Sequence, residues 1–298
     1  MTNRASVQAF FDQATNTVSY LVADPESRQA VFIDPVLDYD HPSGKVSTKS
    51  AEQMLTAARS AGLDIVRILE THAHADHLSA APFLKEQTGA PICIGEHISK
   101  VQAIFKPVFN LPEVSGDGSE FDELLRDGDT FAIGGLQARV MHTPGHTPAC
   151  ISYVIGDAVF VGDTLFMPDY GTARADFPGG SAQTLYRSIR RLLELPPATR
   201  MFVCHDYKAE GRDHYAWETT IEAQRQGNVH VHDGVSEEEF ARMRTERDKT
   251  LSAPALLLPS IQVNIRAGRW PRPEANGRRY LKIPLDFDGG PHRDHDKE

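Results

Sequence analysis

The stretch Thr71-His72-Ala73-His74-Ala75-Asp76-His77 puts three imidazoles and a carboxylate into six consecutive residues. It follows Ile65-Val66-Arg67-Ile68-Leu69-Glu70, a run of branched residues that predicts a short strand. The cluster therefore sits where the chain leaves a sheet. His and Asp bury poorly without partners, so a chance loop explains this density badly. In extended chain His72 and His74 share a face, and the turn that follows can swing Asp76 and His77 toward the same point. Neutral imidazoles with a carboxylate suit Zn, Fe or Mn.

Three later positions repeat the context. His146 stands in Thr143-Pro144-Gly145-His146-Thr147, just past a predicted strand ending near Met141. Asp163 closes the apolar run Ala158-Val159-Phe160-Val161-Gly162-Asp163, and His205 closes Met201-Phe202-Val203-Cys204-His205. Taken singly, each is an ordinary residue. Four clusters at the ends of four strands, however, can converge on one sheet edge, and a metal needs that convergence.

Around this framework the first half of the chain alternates strands with helices. Strands are predicted over Val7–Phe11, Thr17–Ala23, Gln29–Ile33, Pro91–Ile94, Gln137–Met141, Ile151–Ile155, Ala158–Val161 and Arg200–Cys204. Helices are predicted over Thr48–Ala61, Leu78–Thr88, Ile98–Phe105 and Ala182–Glu194, the last capped by Ser181. Another begins at Ser236, where Glu239 completes a capping box. This order suggests helices on both sides of paired sheets. Pro254–Pro284 reads as an extended arm and the last ten or so residues as a mobile tail. The domain reading is a catalytic domain over 1–250, with 251–298 as arm and tail packed on it.

Composition closes off other classes. The 298 residues carry 31 basic against 41 acidic side chains, a net charge of −10, which disfavours nucleic acid as a general partner. The cysteines, Cys93, Cys150 and Cys204, form no disulfide framework or CxxC knuckle. No apolar run approaches a membrane span and no secretory leader is visible. The expectation is a soluble, cytoplasmic protein.

The ordered pattern His72, His74, Asp76, His77, then His146, Asp163 and His205, resembles the metallo-β-lactamase superfamily over roughly residues 15 to 225. The resemblance implies an α/β chain folded as an αββα sandwich, with a metal site at one edge of two sheets. It does not fix the reaction, because one fold hosts many chemistries. Finer stretches, Gly162-Asp163-Thr164-Leu165, Arg174-Ala175-Asp176-Phe177 and His205-Asp206-Tyr207, look like the persulfide (sulfur) dioxygenases. That family oxidises glutathione persulfide with O2 and water to sulfite and glutathione at one Fe(II) per subunit. Carried over residue by residue, the iron ligands are His72, His146 and Asp163, with His74, Asp76 and His77 around them and His205 orienting ligands or placing water.

Arg174 has two readings, a brace to Asp176 or a contact to the thiol carrier. Tyr207 also has two, a hydrogen-bond donor at the reacting atoms or a packed ring. Arg187, Arg190 and Arg191 read as a solvated basic face, and Cys204 as a buried thiol. The rival activity is that of glyoxalase II, a hydrolase of S-acylglutathione thioesters in which two metals use all seven donors. The partners expected are a glutathione-type persulfide, O2 and a second copy of the chain, with no nucleic acid and no membrane.

Overall fold

Near-continuous burial marks the inner strands of the first sheet, which is covered on both faces. In the computed structural model, which describes residues 4–285, β1 (Ser6–Asp12) pairs antiparallel with β2 (Thr17–Ala23), and β2 with β3 (Gln29–Ile33). A short excursion follows, β4 (Val36–Asp40) and β5 (Lys45–Ser47), before α1 (Lys49–Ser60) lays Ala51, Met54, Leu55 and Ala58 on the sheet. The chain then returns in parallel as β6 (Asp64–Leu69), pairs β7 (Leu78–Ser79) with β4, and runs through α2 (Ala81–Thr88), β8 (Ile92–Gly95), α3 (Ile98–Val108) and β9 (Glu123–Leu125). The sheet order is β1-β2-β3-β6-β8-β9.

The second sheet forms from β10 (Thr130–Ile133), β11 (Leu136–His142), β12 (Ile151–Ile155), β13 (Ala158–Phe160), β14 (Arg200–Phe202) and β15 (Glu218–Thr220), in that spatial order. Between β13 and β14, which are parallel, the connection carries α4 (Ala182–Leu192), whose stripe of Leu185, Ile189 and Leu192 is buried. The Ser181 hydroxyl accepts from the Thr184 amide at 3.3 Å and caps it. Then come α5 (Ile221–Gly227), α6 (Glu237–Asp248) and α7 (Leu257–Asn264). At the start of α6 the Ser236–Glu239 capping box forms, a contribution of about 1 kcal/mol.

Tyr20, Val22, Val31 and Ile33 from one sheet meet Val140, Tyr153, Ile155 and Phe160 from the other in a dry interface. Burying each such side chain stabilises the fold by about 1.5–3 kcal/mol before entropy is charged against it. Helices α1, α2 and α3 cover the outer face of the first sheet, and α4 and α6 that of the second. This is the αββα sandwich. At one edge the sheets are stitched together, Val18 N to the Cys204 carbonyl at 2.8 Å and Asp206 N to Asn16 at 3.1 Å.

Several expectations are corrected. Leu78 and Ser79 are strand, not the first turn of a helix; their pairing with Val36 and Leu37 wins over helix propensity. The segment expected as an extended arm contains α7, whose Ile261, Val263 and Asn264 are buried, because its apolar run packs on the first helical layer. Arg190 is tied to Asp233 and to the carbonyls of Val231 and His232, and Arg191 to Asp127, so these two staple loops, while Arg187 stays exposed as expected, beside Glu237. The expected mobile tail lies outside the described residues. Among the described residues no helix is long and apolar enough to cross a membrane.

Candidate metal centre

The strand ends deliver the donors as the sequence spacing predicts. β6 delivers the His72–His77 loop, the turn after β11 delivers His146, β13 delivers Asp163 and β14 delivers His205. The side-chain nitrogens of His72 and His146 and a carboxylate oxygen of Asp163 all lie within 4.8 Å of one another. Asp163 Oδ2 is 3.9 Å from His72 Nε2 and 3.6 Å from His146 Nε2. His74 forms its own close sets instead, with Asp34 and Glu70, with Asp76 and His77, and with Cys204 and His205.

Hydrogen bonding fixes which ring nitrogen each histidine offers. Asp34 accepts the Thr71 amide at 2.7 Å and the Thr71 hydroxyl at 2.9 Å. With its one proton spent, that hydroxyl can only accept from His72 Nδ1, 3.0 Å away, and His72 Nε2 is left with a bare lone pair. His146 Nδ1 donates to the Arg174 carbonyl at 2.9 Å, and His205 Nδ1 to the Asn16 carbonyl at 3.2 Å. His77 Nδ1 donates to Asp76 at 3.2 Å, and His74 Nε2 to Asp34 at 3.0 Å. The second nitrogens of His72, His74, His77 and His205 are buried without a partner, as is Asp163 Oδ1.

Buried bare lone pairs are costly unless something positive sits among them. The electrostatics agree. Burial, followed by the neighbouring His74 and His146 rings, holds His72 well below the usual imidazole range, which keeps it a neutral ligand. Burial also pulls His205 down, but Asp76 and Asp163 outweigh it and raise it well above the usual range. The pocket favours positive charge between those carboxylates, which a metal cation among His72, His146 and Asp163 would supply. These residues therefore fit a metal; the second nitrogen of each ring is anchored in the way that orients such ligands.

The anchors are what the sequence reading missed. Asp34, with φ +49°, and Glu70, 3.4 Å from His74 Nε2, flank the ring from two strand ends. The Asn264 side chain, nearly two hundred residues away, donates to the carbonyls of His74 and His77, both at 2.8 Å, and accepts from Ser79 N at 2.9 Å. Asp34 stands in Ile33-Asp34-Pro35 at the end of a predicted strand, a signal that was available; Asn264 offers none. Two glycines are required by close approach. A Cβ at Gly145, φ +141°, would lie 2.3 Å from the Leu185 backbone, and one at Gly171, φ +103°, would lie 2.1 Å from His230 Nδ1.

A cavity of about 410 Å³ opens onto Asp76, His146 and Asp163. Phe166, Tyr170 and Tyr207 line one wall, with Tyr170 and Tyr207 rings 5.4 Å apart. Tyr207 is 40% exposed, and burial of its inner side, then Asp76 and Asp163, push its hydroxyl up so that it stays protonated. Arg174 grips Asp176 at 2.6 and 2.8 Å and donates to the Ser252 carbonyl at 2.7 Å, which realises the bracing reading while its residue still lines the cavity. Cys204 is buried beside His74 and His205, its thiol pushed up by burial.

The fold and site together define a metal-dependent enzyme scaffold, and residues 13–205 match the metallo-β-lactamase superfamily. The chain belongs to that superfamily. It is 55% identical to a probable metallo-hydrolase of Burkholderia pseudomallei over 94% of this chain and 99% of that one. It is 49% identical to Glyoxylase B2 of Dictyostelium discoideum over 96% and 99%, and 28% identical to the human mitochondrial persulfide dioxygenase over 88% of each. The chain spans 64% of the length of a β-lactamase hydrolase-like protein of Xylella fastidiosa, to which it is 51% identical over 94% of its own length. Among solved structures, ETHE1 from Myxococcus xanthus superposes with a TM-score of 0.70 at 31% identity, covering 89% of this chain and all of that one.

Proposed function

We propose that this protein is a persulfide dioxygenase that uses one Fe(II). The observation that carries the reading is the compact set of His72, His146 and Asp163, two imidazoles and one carboxylate within reach of a single ion. Such a facial set suits non-haem iron. A ferrous ion bound there supplies the redox chemistry through which O2 reacts with a persulfide sulfur. The balance is RSSH + O2 + H2O giving RSH, sulfite and two protons.

The chain's own residues do the rest. Asp163, His72 and His146 hold the ion, and Asp34, Thr71 and Arg174 hold the rings. Tyr207, kept protonated, donates a hydrogen bond into the cavity where the sulfur oxygens develop. Arg247 lines the same cavity and, among the described residues, faces no carboxylate in an ion pair. It suits the carboxylates of a glutathione-type carrier, whose alkyl part fits against Phe166 and Tyr170.

A second reading is favoured by a specific observation. His72, His74, His77, His146 and His205 all have one ring nitrogen anchored, leaving five nitrogens for metal where one ion uses two. Together with the names borne by the relatives at 49% and 55% identity, this supports a dinuclear thioester hydrolase. One experiment separates the two. The anaerobically purified, iron-loaded protein is given glutathione persulfide and followed by O2 uptake and sulfite release; the zinc-loaded protein is given an S-acylglutathione. Uptake matched by sulfite is the expected result. Thioester hydrolysis with no O2 uptake overturns the dioxygenase reading in favour of the hydrolase.

A further inference from the structure

Thr172, Ala173 and Arg174 line the cavity and Ala175 closes the segment, a wall in which the Arg174 carbonyl orients His146. Both ends of the wall are held from α6. Arg244 Nη1 donates to the Thr172 carbonyl at 3.1 Å, and Asp248 Oδ2 accepts from the Ala175 amide at 2.9 Å. Arg244 and Asp248 are themselves paired one helical turn apart, Nε to Oδ1 at 2.9 Å and Nη2 to Oδ1 at 2.7 Å.

The plain alternative is that this is a buried ion pair that merely stabilises α6. Burial argues against it. Arg244 is 1% exposed and Asp248 5%, and a pair so desolvated is a poor source of stability compared with two apolar side chains of the same size. One nitrogen of the guanidinium and one oxygen of the carboxylate are spent outside the helix. The guanidinium takes one end of a four-residue segment and the carboxylate takes the other, with the His146 acceptor between them. Phe240 and Ala241 on the same helix already supply the apolar contact to α4.

We propose that the Arg244–Asp248 pair is a positioning element for the metal centre. By fixing the Thr172 carbonyl and the Ala175 amide it fixes the Arg174 carbonyl. That carbonyl in turn holds the His146 ring plane and the tautomer that leaves Nε2 bare. The inference concerns metal binding and holds for one metal or two, so it does not stand or fall with the dioxygenase reading.

The test uses Co(II) added to the metal-free full chain, read by its visible absorption spectrum and by competition with a chelator, with the thermal midpoint of the metal-free protein measured alongside. The double variant Arg244→Met/Asp248→Leu removes both charges and both grips. It is expected to stay folded with a lowered midpoint, because the Thr172 carbonyl and the Ala175 amide lose their partners, while Co(II) affinity falls about 10–100-fold and the spectrum changes. Asp248→Asn keeps an acceptor for Ala175 N–H and leaves Arg244 on Thr172, but strips the buried guanidinium of its counter-charge. Stability should fall in that variant while the Co(II) spectrum stays. A double variant with wild-type spectrum and affinity overturns the proposal. So does a folded Asp248→Asn that loses the spectrum, and this second result decides the matter alone if the double variant does not fold.

Discussion

The Asp163 carboxylate reaches the His205 ring, Oδ1 to Nε2 at 3.3 Å, while its other oxygen faces His146 Nε2 at 3.6 Å. One side chain thus borders two groups of donors. Asp163→Ala is therefore expected to empty the site whichever metal count holds, leaving less than a tenth of the wild-type metal. His205→Ala separates the cases. With a single Fe(II) on His72, His146 and Asp163, it should keep close to one metal per chain and lose turnover. Elemental analysis of the purified variants checks this, and a fall from two metals to one or none in His205→Ala sinks the mononuclear assignment.

Asp34 collects four donors, the Thr71 amide, the Thr71 hydroxyl, His74 Nε2 and, at 3.9 Å, the Cys204 thiol. Asp34→Asn is nearly isosteric but turns one oxygen into an NH2 that faces another donor. A buried donor left without an acceptor costs about 1–3 kcal/mol. Because Thr71 also sets the His72 tautomer, metal affinity should fall with stability. Urea unfolding of the metal-free protein and chelator competition of the loaded one report the two losses. Unchanged metal affinity would detach Asp34 from the site.

Asn264 ties α7 to the backbone of two cluster histidines. Asn264→Leu removes two donated bonds and leaves the His74 and His77 carbonyls and the Ser79 amide buried and unmet, about 1–3 kcal/mol for each group that water cannot reach. Gln262 is a matched comparison. Its amide also lies in α7 but bonds to Leu258 and Lys282, away from the site. Gln262→Met should destabilise without weakening metal binding, whereas Asn264→Leu should weaken it about 10–100-fold. Equal metal affinities in the two variants would reduce Asn264 to a packing role.

The layering of helices on paired sheets and the convergence of the His and Asp positions were legible in the sequence because runs of branched residues mark strands and Gly, His and Asp mark their ends. β2, β3 and β12 coincide with the predicted ranges. What stayed hidden depends on contacts across long stretches of chain. The strand β15 has only Glu218-Thr219-Thr220 to mark it and forms because β14 is there to pair with. α7 lies in a Pro-rich region whose local chemistry favours extended chain; burial overrides that preference. Asn264, Asp248 and Glu70 belong to residue types that mostly sit in solvent. Their roles follow from what they face, and no periodicity encodes that. The metal number is hidden for a different reason, since both chemistries use the same residue types at the same spacing.

His230 tests the wall from its other side by pH. Its Nδ1 accepts the Thr172 amide at 3.1 Å, so the ring is neutral in the fold, and protonation would set two N–H groups against each other. Burial first, then the charges of Arg244 and Arg247, lower it to about 4. In the unfolded chain a histidine titrates near ~6.5. A folded value below the unfolded one means that the unfolded state binds the extra proton between those pH values. Stability should therefore be independent of this group above the unfolded pKa, fall as pH drops through the window, and level off below the folded pKa. With the partial exposure of the ring discounted, the loss is on the order of 2 kcal/mol across the window. His230→Gln keeps an acceptor for Thr172 and cannot charge. Its stability, followed by urea unfolding of the metal-free protein at steps of pH, should decline less steeply than the parent's over that range, by up to one proton's worth of slope. Parallel curves for the two proteins would mean that His230 is free to take its proton in the fold, and that its bond to Thr172 is not the one holding that end of the wall.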